Sequence, residues 1–321
     1  EHMRRLFLYT FFLLVFLFNS YLFASPVKLK SSLLLSNLTI SADGNWVVYG
    51  VTDETGHWIE AIYSVPISGG KSVKLGPPEL DFSRGVGHYA ITSDSGRVVF
   101  EAETHPYRYE LFIIPITGGK SVKLNPDYHD LEGVNNFKIS PDNSRVIYSA
   151  DQDINNAYEL YNVSTNGGTP IKLNTDIASD WDVLRHSISP DGKWVVYLAA
   201  QDGGTAYELY SVPIMGGTVV KLNAGTGKGF ERYNYTISPD SQYVIYQYDP
   251  DPGGSFTYGL YSVPISGGKA VKFRAEAYTD KNYSYIHSVF DYEISADSSR
   301  VVYISGHQNV FLPELYSEPI T

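Results

Sequence analysis

The sequence predicts an all-β fold, a six-bladed β-propeller in which each blade is a four-stranded antiparallel sheet and the N-terminal strand (residues 26–29) closes the ring. Three observations predict it: a turn unit recurs six times at blade spacing, a β-branched and aromatic run follows each copy, and the last repeat stops one strand short.

The turn unit is Ile40-Ser41-Ala42-Asp43-Gly44. It recurs as Ile91-Thr92-Ser93-Asp94-Ser95, Ile139-Ser140-Pro141-Asp142-Asn143, Ile188-Ser189-Pro190-Asp191-Gly192, Ile237-Ser238-Pro239-Asp240-Ser241 and Ile294-Ser295-Ala296-Asp297-Ser298, with aspartate-to-aspartate steps of 51, 48, 49, 49 and 57 residues. Proline presets φ, serine and aspartate accept local N–H groups, and glycine or asparagine tolerates the conformation that follows. The six aspartates are therefore expected to serve their turns rather than a metal.

After each turn comes a run such as Trp46-Val47-Val48-Tyr49 or Trp194-Val195-Val196-Tyr197, then a third strand such as Leu209 to Ile214. A Gly-Gly turn leads to a fourth strand of the Val73-Lys74-Leu75 type. The sixth repeat ends at Thr321 before its fourth strand, whereas Pro26-Val27-Lys28-Leu29 stands ahead of the first, so the N-terminal strand is expected to complete the last blade. Residues 25–321 then form one domain.

The Ile-Ser-Pro-Asp-Gly turn with its Val-Val-Tyr strand resembles the WD40-like (PD40) repeat of the C-terminal propeller of periplasmic TolB, and of the propellers of prolyl oligopeptidases and tricorn-type proteases. The resemblance implies a propeller over residues 26–321. It leaves function open, because such repeats occur in interaction scaffolds, protease gates and sugar-processing enzymes. The separate N-terminal α/β domain of TolB has no counterpart in the sequence.

Residues 1–24 combine Met3-Arg4-Arg5 with an apolar run from Leu6 to Phe18 and a small residue at Ala24, the order of a secretory signal; a retained membrane anchor is the alternative, and Glu1-His2 reads as a tag scar. A periplasmic or secreted location follows as an expectation, with membrane contact only through an uncleaved N-terminal segment. The net charge of −11, with basic residues scattered through the repeats, argues against nucleic acid. The absence of cysteine removes disulfides, zinc-thiolate sites and cysteine nucleophiles.

The Asp turns and Gly-Gly turns fall on one face of a propeller and are nearly identical between repeats. The second-to-third strand loops and the crossings between repeats fall on the other and vary. That variable face, rich in acids and aromatics, is the expected binding surface for a protein, peptide or glycan, with Trp58, Tyr107, Trp181, Tyr248 and Tyr283 as anchors. A polar series three residues before the repeated isoleucine includes His88, Arg185, Asn234 and Asp291; strand alternation puts its members on the same side of their own blades, and their nearness to the axis makes contact with the channel or its water the expectation. A divalent cation in the central channel is kept as a candidate cofactor. No serine elbow, zinc-helix motif or phosphate loop occurs, so no catalytic residue is assigned. The alternative function is a metal-dependent, sugar-directed enzyme resembling an oligogalacturonate lyase and using His88, His186 and His287, although their unequal offsets from the isoleucine speak against it.

Overall fold

The repeated turn is closed by its own side chains. In all six copies the serine or threonine hydroxyl donates to the aspartate Oδ1 two residues on, at 2.5–2.6 Å. The same hydroxyl oxygen accepts the backbone N–H five residues on, at 2.9–3.0 Å. That second bond starts the next strand. The aspartate Oδ1 also accepts the N–H two residues after it, at 3.0–3.1 Å. Asp43 and Asp297 are held down to about 2, in each case first by the serine hydroxyl.

The computed structural model describes residues 28, 34–56, 58–76, 85–105, 108–127, 133–153, 157–177, 181–201, 206–223, 234–248, 259–273, 279–280, 283–284, 287–307 and 310–321. The first repeat forms β1 (Leu35–Ile40), β2 (Trp46–Thr52), β3 (Ile59–Pro66) and β4 (Val73–Leu75). The second forms β5 (Val86–Ile91), β6 (Arg97–His105), β7 (Arg108–Pro115) and β8 (Val122–Lys123), and the third β9 (Gly133–Ile139), β10 (Arg145–Asp151), β11 (Glu159–Ser164) and β12 (Ile171–Lys172). The fourth gives β13 (Val183–Ile188), β14 (Trp194–Ala199), β15 (Glu208–Pro213) and β16 (Val220–Lys221); the fifth gives β17 (Tyr235–Ile237), β18 (Tyr243–Tyr248), β19 (Gly259–Pro264) and β20 (Val271–Lys272). A short hairpin, β21 (Thr279–Asp280) and β22 (Tyr283–Ser284), precedes β23 (His287–Ile294), β24 (Arg300–His307) and β25 (Val310–Pro319).

This arrangement corrects the six-bladed propeller predicted from the sequence. The first three repeats share one 12-stranded sheet, the fourth and fifth are separate four-stranded sheets, the last is three-stranded, and none closes on itself. The fusion occurs where the chain crosses between repeats: Ile59 of β3 bridges Val86 of β5, and Tyr109 of β7 pairs in parallel with Gly133 of β9. Gly133 has φ +91°, and a Cβ there would lie 2.3 Å from the Tyr109 carbonyl oxygen, so only glycine permits this approach. The closing strand is also corrected. Of residues 26–29 only Lys28 is described; it is exposed and outside any strand, and among the described residues β25 pairs with β24 alone.

What survives is the repeat. In each one, an aromatic residue of the second strand faces an aromatic of the third, from Tyr49 on Tyr63 through Tyr148 on Tyr161 to Tyr303 on Tyr316, with ring centroids 5.3–5.7 Å apart. In the first five repeats the second strand is buried on both sides, because successive repeats stack face to face around five apolar clusters, each drawing on two neighbouring repeats. The turns are tied across these joints as well. The Asp43, Asp191 and Asp240 N–H groups donate to Ser95, Ser241 and Ser298 of the following repeat, and the Ser93 N–H donates to Asn143.

Ser238 is fully buried and bonds on both sides of its turn. Ser238→Ala leaves the Tyr243 N–H without its acceptor and is expected to lower unfolding free energy by about 1–3 kcal/mol. Urea unfolding followed by circular dichroism checks this; an unchanged midpoint would show that the hydroxyl does not hold the turn.

Candidate functional site

The first strands of successive repeats present the polar series. All but that of the fifth repeat are bulged or shifted in register near their start, as between Val86 and Tyr89 and between Val183 and Arg185. The distortion leaves His88 and Arg185 exposed while the next residue in each, Tyr89 and His186, turns inward.

That inward position is an inter-repeat lock. The Tyr235 hydroxyl donates to the Val196 carbonyl of the preceding repeat at 2.9 Å, and the Tyr292 hydroxyl to the Ile245 carbonyl at 3.2 Å. His186 occupies the same position with its ring buried beside the Ile147 backbone, and its Nε2 is left without a hydrogen-bond partner. Burial, with the nearby Lys138 charge, pushes the imidazole down to about 3, so it stays neutral and structural. The exposed residues one step upstream cover the next repeat's inward ring: His88 lies 4.9 Å from Phe137, and the Arg185 guanidinium sits 5.0 Å over Tyr235. Asn234 is engaged with Gln247, whose Nε2 reaches the Val289 carbonyl of the last repeat at 2.9 Å. Asp291 is exposed, and its Oδ1 accepts the Tyr292 N–H at 2.9 Å.

The divalent cation expected in a central channel is corrected. Among the described residues no group of three or more His, Asp or Glu side chains is placed to hold a metal, and no described sheet closes to make the channel wall. The histidines of the enzyme alternative also part company: His88 is exposed, His186 is buried against Ile147, and the His287 side chain lies outside the described residues.

The aromatic anchors divide. Trp58 is 61% exposed on a built loop, in which the Asp53 carboxylate accepts from the Thr55 hydroxyl and the Trp58 N–H, and the Asp53 N–H donates to the Trp58 carbonyl. Trp181 is half-buried and packs edge-on to Tyr207 at 5.3 Å, beside Asp182, whose Oδ1 accepts the Tyr158 N–H. Tyr248 is instead 2% exposed, packed against Tyr261 inside the fifth repeat, because the strand runs one residue past the point where its sequence turns loop-like. Tyr107 lies outside the described residues, as does the side chain of Tyr283 on β22. Trp58 and Trp181 belong to the first and fourth repeats.

Two features of the molecule went unread in the sequence. Glu101 is an acid inside the buried second strand of the second repeat. Its Oε2 accepts the His88 N–H at 3.2 Å while Oε1 has no partner, and burial pushes the carboxyl up to about 8. The second feature is an ion-pair ladder on the outer strands. Lys123, Lys172 and Lys221 reach Glu110, Glu159 and Glu208 at the start of the adjoining third strands. Leu124, Leu173 and Leu222 donate to the carbonyls of Leu111, Leu160 and Leu209, whose own N–H groups donate to Asn125, Asn174 and Asn223.

Comparison with known proteins gives a likeness of fold. The family described as the dipeptidyl peptidase IV (DPP IV) N-terminal region matches residues 155–252, well under half of the chain. No curated protein matches by sequence. Among solved structures, oligogalacturonate lyase from Vibrio parahaemolyticus is 13% identical over 91% of this chain and 72% of its own, with a TM-score of 0.50. A TolB from Agrobacterium tumefaciens, described as putative, is 16% identical over 90% and 80%, with a TM-score of 0.37. TolB from Acinetobacter baumannii is 17% identical over 85% of this chain and 61% of its own, with a TM-score of 0.43. The likeness to TolB is distant and does not carry the WD40-like repeat identity read from the turns.

Because the folded Glu101 carboxyl titrates above its unfolded value, the folded state keeps a proton that the unfolded chain releases once pH passes about 4.5. Stability from this group therefore falls as pH rises from about 4.5 to about 8 and is level beyond. Glu101→Gln is expected to flatten that slope and gain on the order of a few kcal/mol on the parent between pH 4 and pH 8. Urea midpoints across that range check it; parallel curves for the two proteins would refute the assignment.

Proposed function

We propose that the chain is a non-catalytic, exported binding or scaffold protein that recognises a protein or peptide through its second-to-third strand loops and the crossings between its repeats. The observation that carries this is Trp58, a large indole held 61% exposed by a loop whose hydrogen bonds are made within itself. An aromatic side chain kept in water by a pre-formed loop has little ordering cost left to meet on binding, which is the property of an interface anchor. Trp181, half-buried on Tyr207 with acids on either side in sequence, offers a second anchor of the same chemistry. The net charge of −11 adds long-range attraction for a basic partner. Export rests on the order of residues 1–24, which matches a secretory signal.

The test is capture of partners from the native extracellular or periplasmic milieu by the parent, by Trp58→Ala/Trp181→Ala, and by a control pair on the Gly-Gly turns, Lys71→Ala/Lys269→Ala. Loss of both anchors is expected to weaken binding by about 2–4 kcal/mol while the control pair retains it. Capture that follows the lysines instead, with all three proteins folded, would place binding on the turns. Capture of glycans alone would refute protein recognition.

A further inference from the structure

The stack of repeats has two ends, and the faces at those ends are apolar. On the first repeat, Leu35, Leu38 and Ile40 of β1 are 46%, 72% and 52% exposed. Leu35 and Leu38 border a pocket of about 420 Å³ whose floor is Val47, Tyr49 and Val65 and whose rim includes Lys28. On the last repeat, Phe290, Val302, Ile304 and Leu315 are 36–72% exposed. At the internal joints the described positions equivalent to Leu35, Leu38, Val302, Ile304 and Leu315 are buried by the neighbouring repeat. Leu38 stands where Tyr89, Phe137, His186, Tyr235 and Tyr292 are buried, and Leu315 stands where Leu111, Leu160, Leu209 and Leu260 are buried.

The outer edge of β25 is bare in a specific way. In the second, third and fourth repeats that edge carries a short strand reading apolar-Lys-Leu-Asn, with the lysine on a glutamate one residue before the paired leucine. On β25 the glutamate is present as Glu314 and the leucine as Leu315, both exposed, and no described strand pairs with β25 on the side away from β24. The chain carries a further copy of the short pattern in Val27-Lys28-Leu29. Its Lys28 lies exposed at the rim of the first-repeat pocket, outside any strand.

We propose that the two end faces are a head-to-tail interface between copies of this chain. The last repeat of one copy covers the Leu35–Ile40 face of the next, with Lys28 of that next copy on Glu314. The contact reproduces chemistry the molecule already uses at its five internal joints and on its outer strands: apolar faces stacked and a lysine placed on a glutamate. It is heterologous, so it closes only as a ring of copies and otherwise extends the stack. It is independent of the loop anchors proposed above.

The experiment mixes full-length chain grown with and without ¹⁵N, applies a zero-length carboxyl-to-amine cross-linker, and identifies the peptides joined, beside analytical ultracentrifugation of the same samples. Association that rises with concentration is expected, with Lys28–Glu314 cross-links of mixed isotope. Glu314→Lys is expected to weaken association by about tenfold, Lys28→Glu likewise, and the charge-swapped double variant to recover it. Leu315→Asp is expected to abolish association without loss of the folded circular dichroism signal. A monomer at every concentration, a Lys28–Glu314 link confined to one isotope, or association indifferent to all four variants would each overturn the proposal.

Discussion

The serine or threonine hydroxyl that donates to an aspartate and accepts from the start of the next strand is the interaction on which the rest depends. It is made six times, with nearly the same lengths, and it fixes where each second strand begins. Once that start is fixed, the facing aromatics of the second and third strands come into register, and the buried valines beside them point to both neighbouring repeats. The residue after the aspartate takes a positive φ, and in four repeats it is a serine or asparagine, a conformation such residues adopt at a cost. That cost is offset where its side chain reaches the neighbouring turn, so local closure and inter-repeat contact come from one short segment.

The same economy explains the polar residues of the first strands. A ligand-lined channel and a set of joints between repeats call for similar residue types, since both place hydroxyls, amides and rings beside backbone carbonyls. The geometry decides between them here. Tyr235 and Tyr292 spend their hydroxyls on the preceding repeat, His186 is buried against it, and His88 and Arg185 lie over aromatic rings of the following one. What remains for recognition lies in the loops, where Trp58 is held outward.

Much of this was legible in the sequence, and the misses have physical causes. The turns, the four strand types and the number of repeats follow from spacing and residue type, because those are local properties. How the ends meet is not local. Counting a Val-Lys-Leu segment at residues 27–29 gives a strand of the right kind but says nothing of which edge it joins, and the fusion of the first three sheets rests on close approaches at Gly133 and between Ile59 and Val86. Tyr248 sits at a strand end where the sequence already resembles a loop, and one more residue of pairing moves it from surface to core. Glu101 had a signal, an acid within an apolar run, but an exposed strand end carries the same letters.

Because each apolar cluster joins only two neighbouring repeats, cohesion along the chain is a sum over adjacent pairs rather than a property of one shared centre. Repeats in the middle are held from both sides and those at the ends from one. The amides of the third and fourth repeats should then be the slowest to exchange with deuterated solvent, and protection should fall away toward both termini. Heat or mechanical load would strip such a stack from its ends inward, leaving the central pair, with His186 at its joint, as the last structure standing.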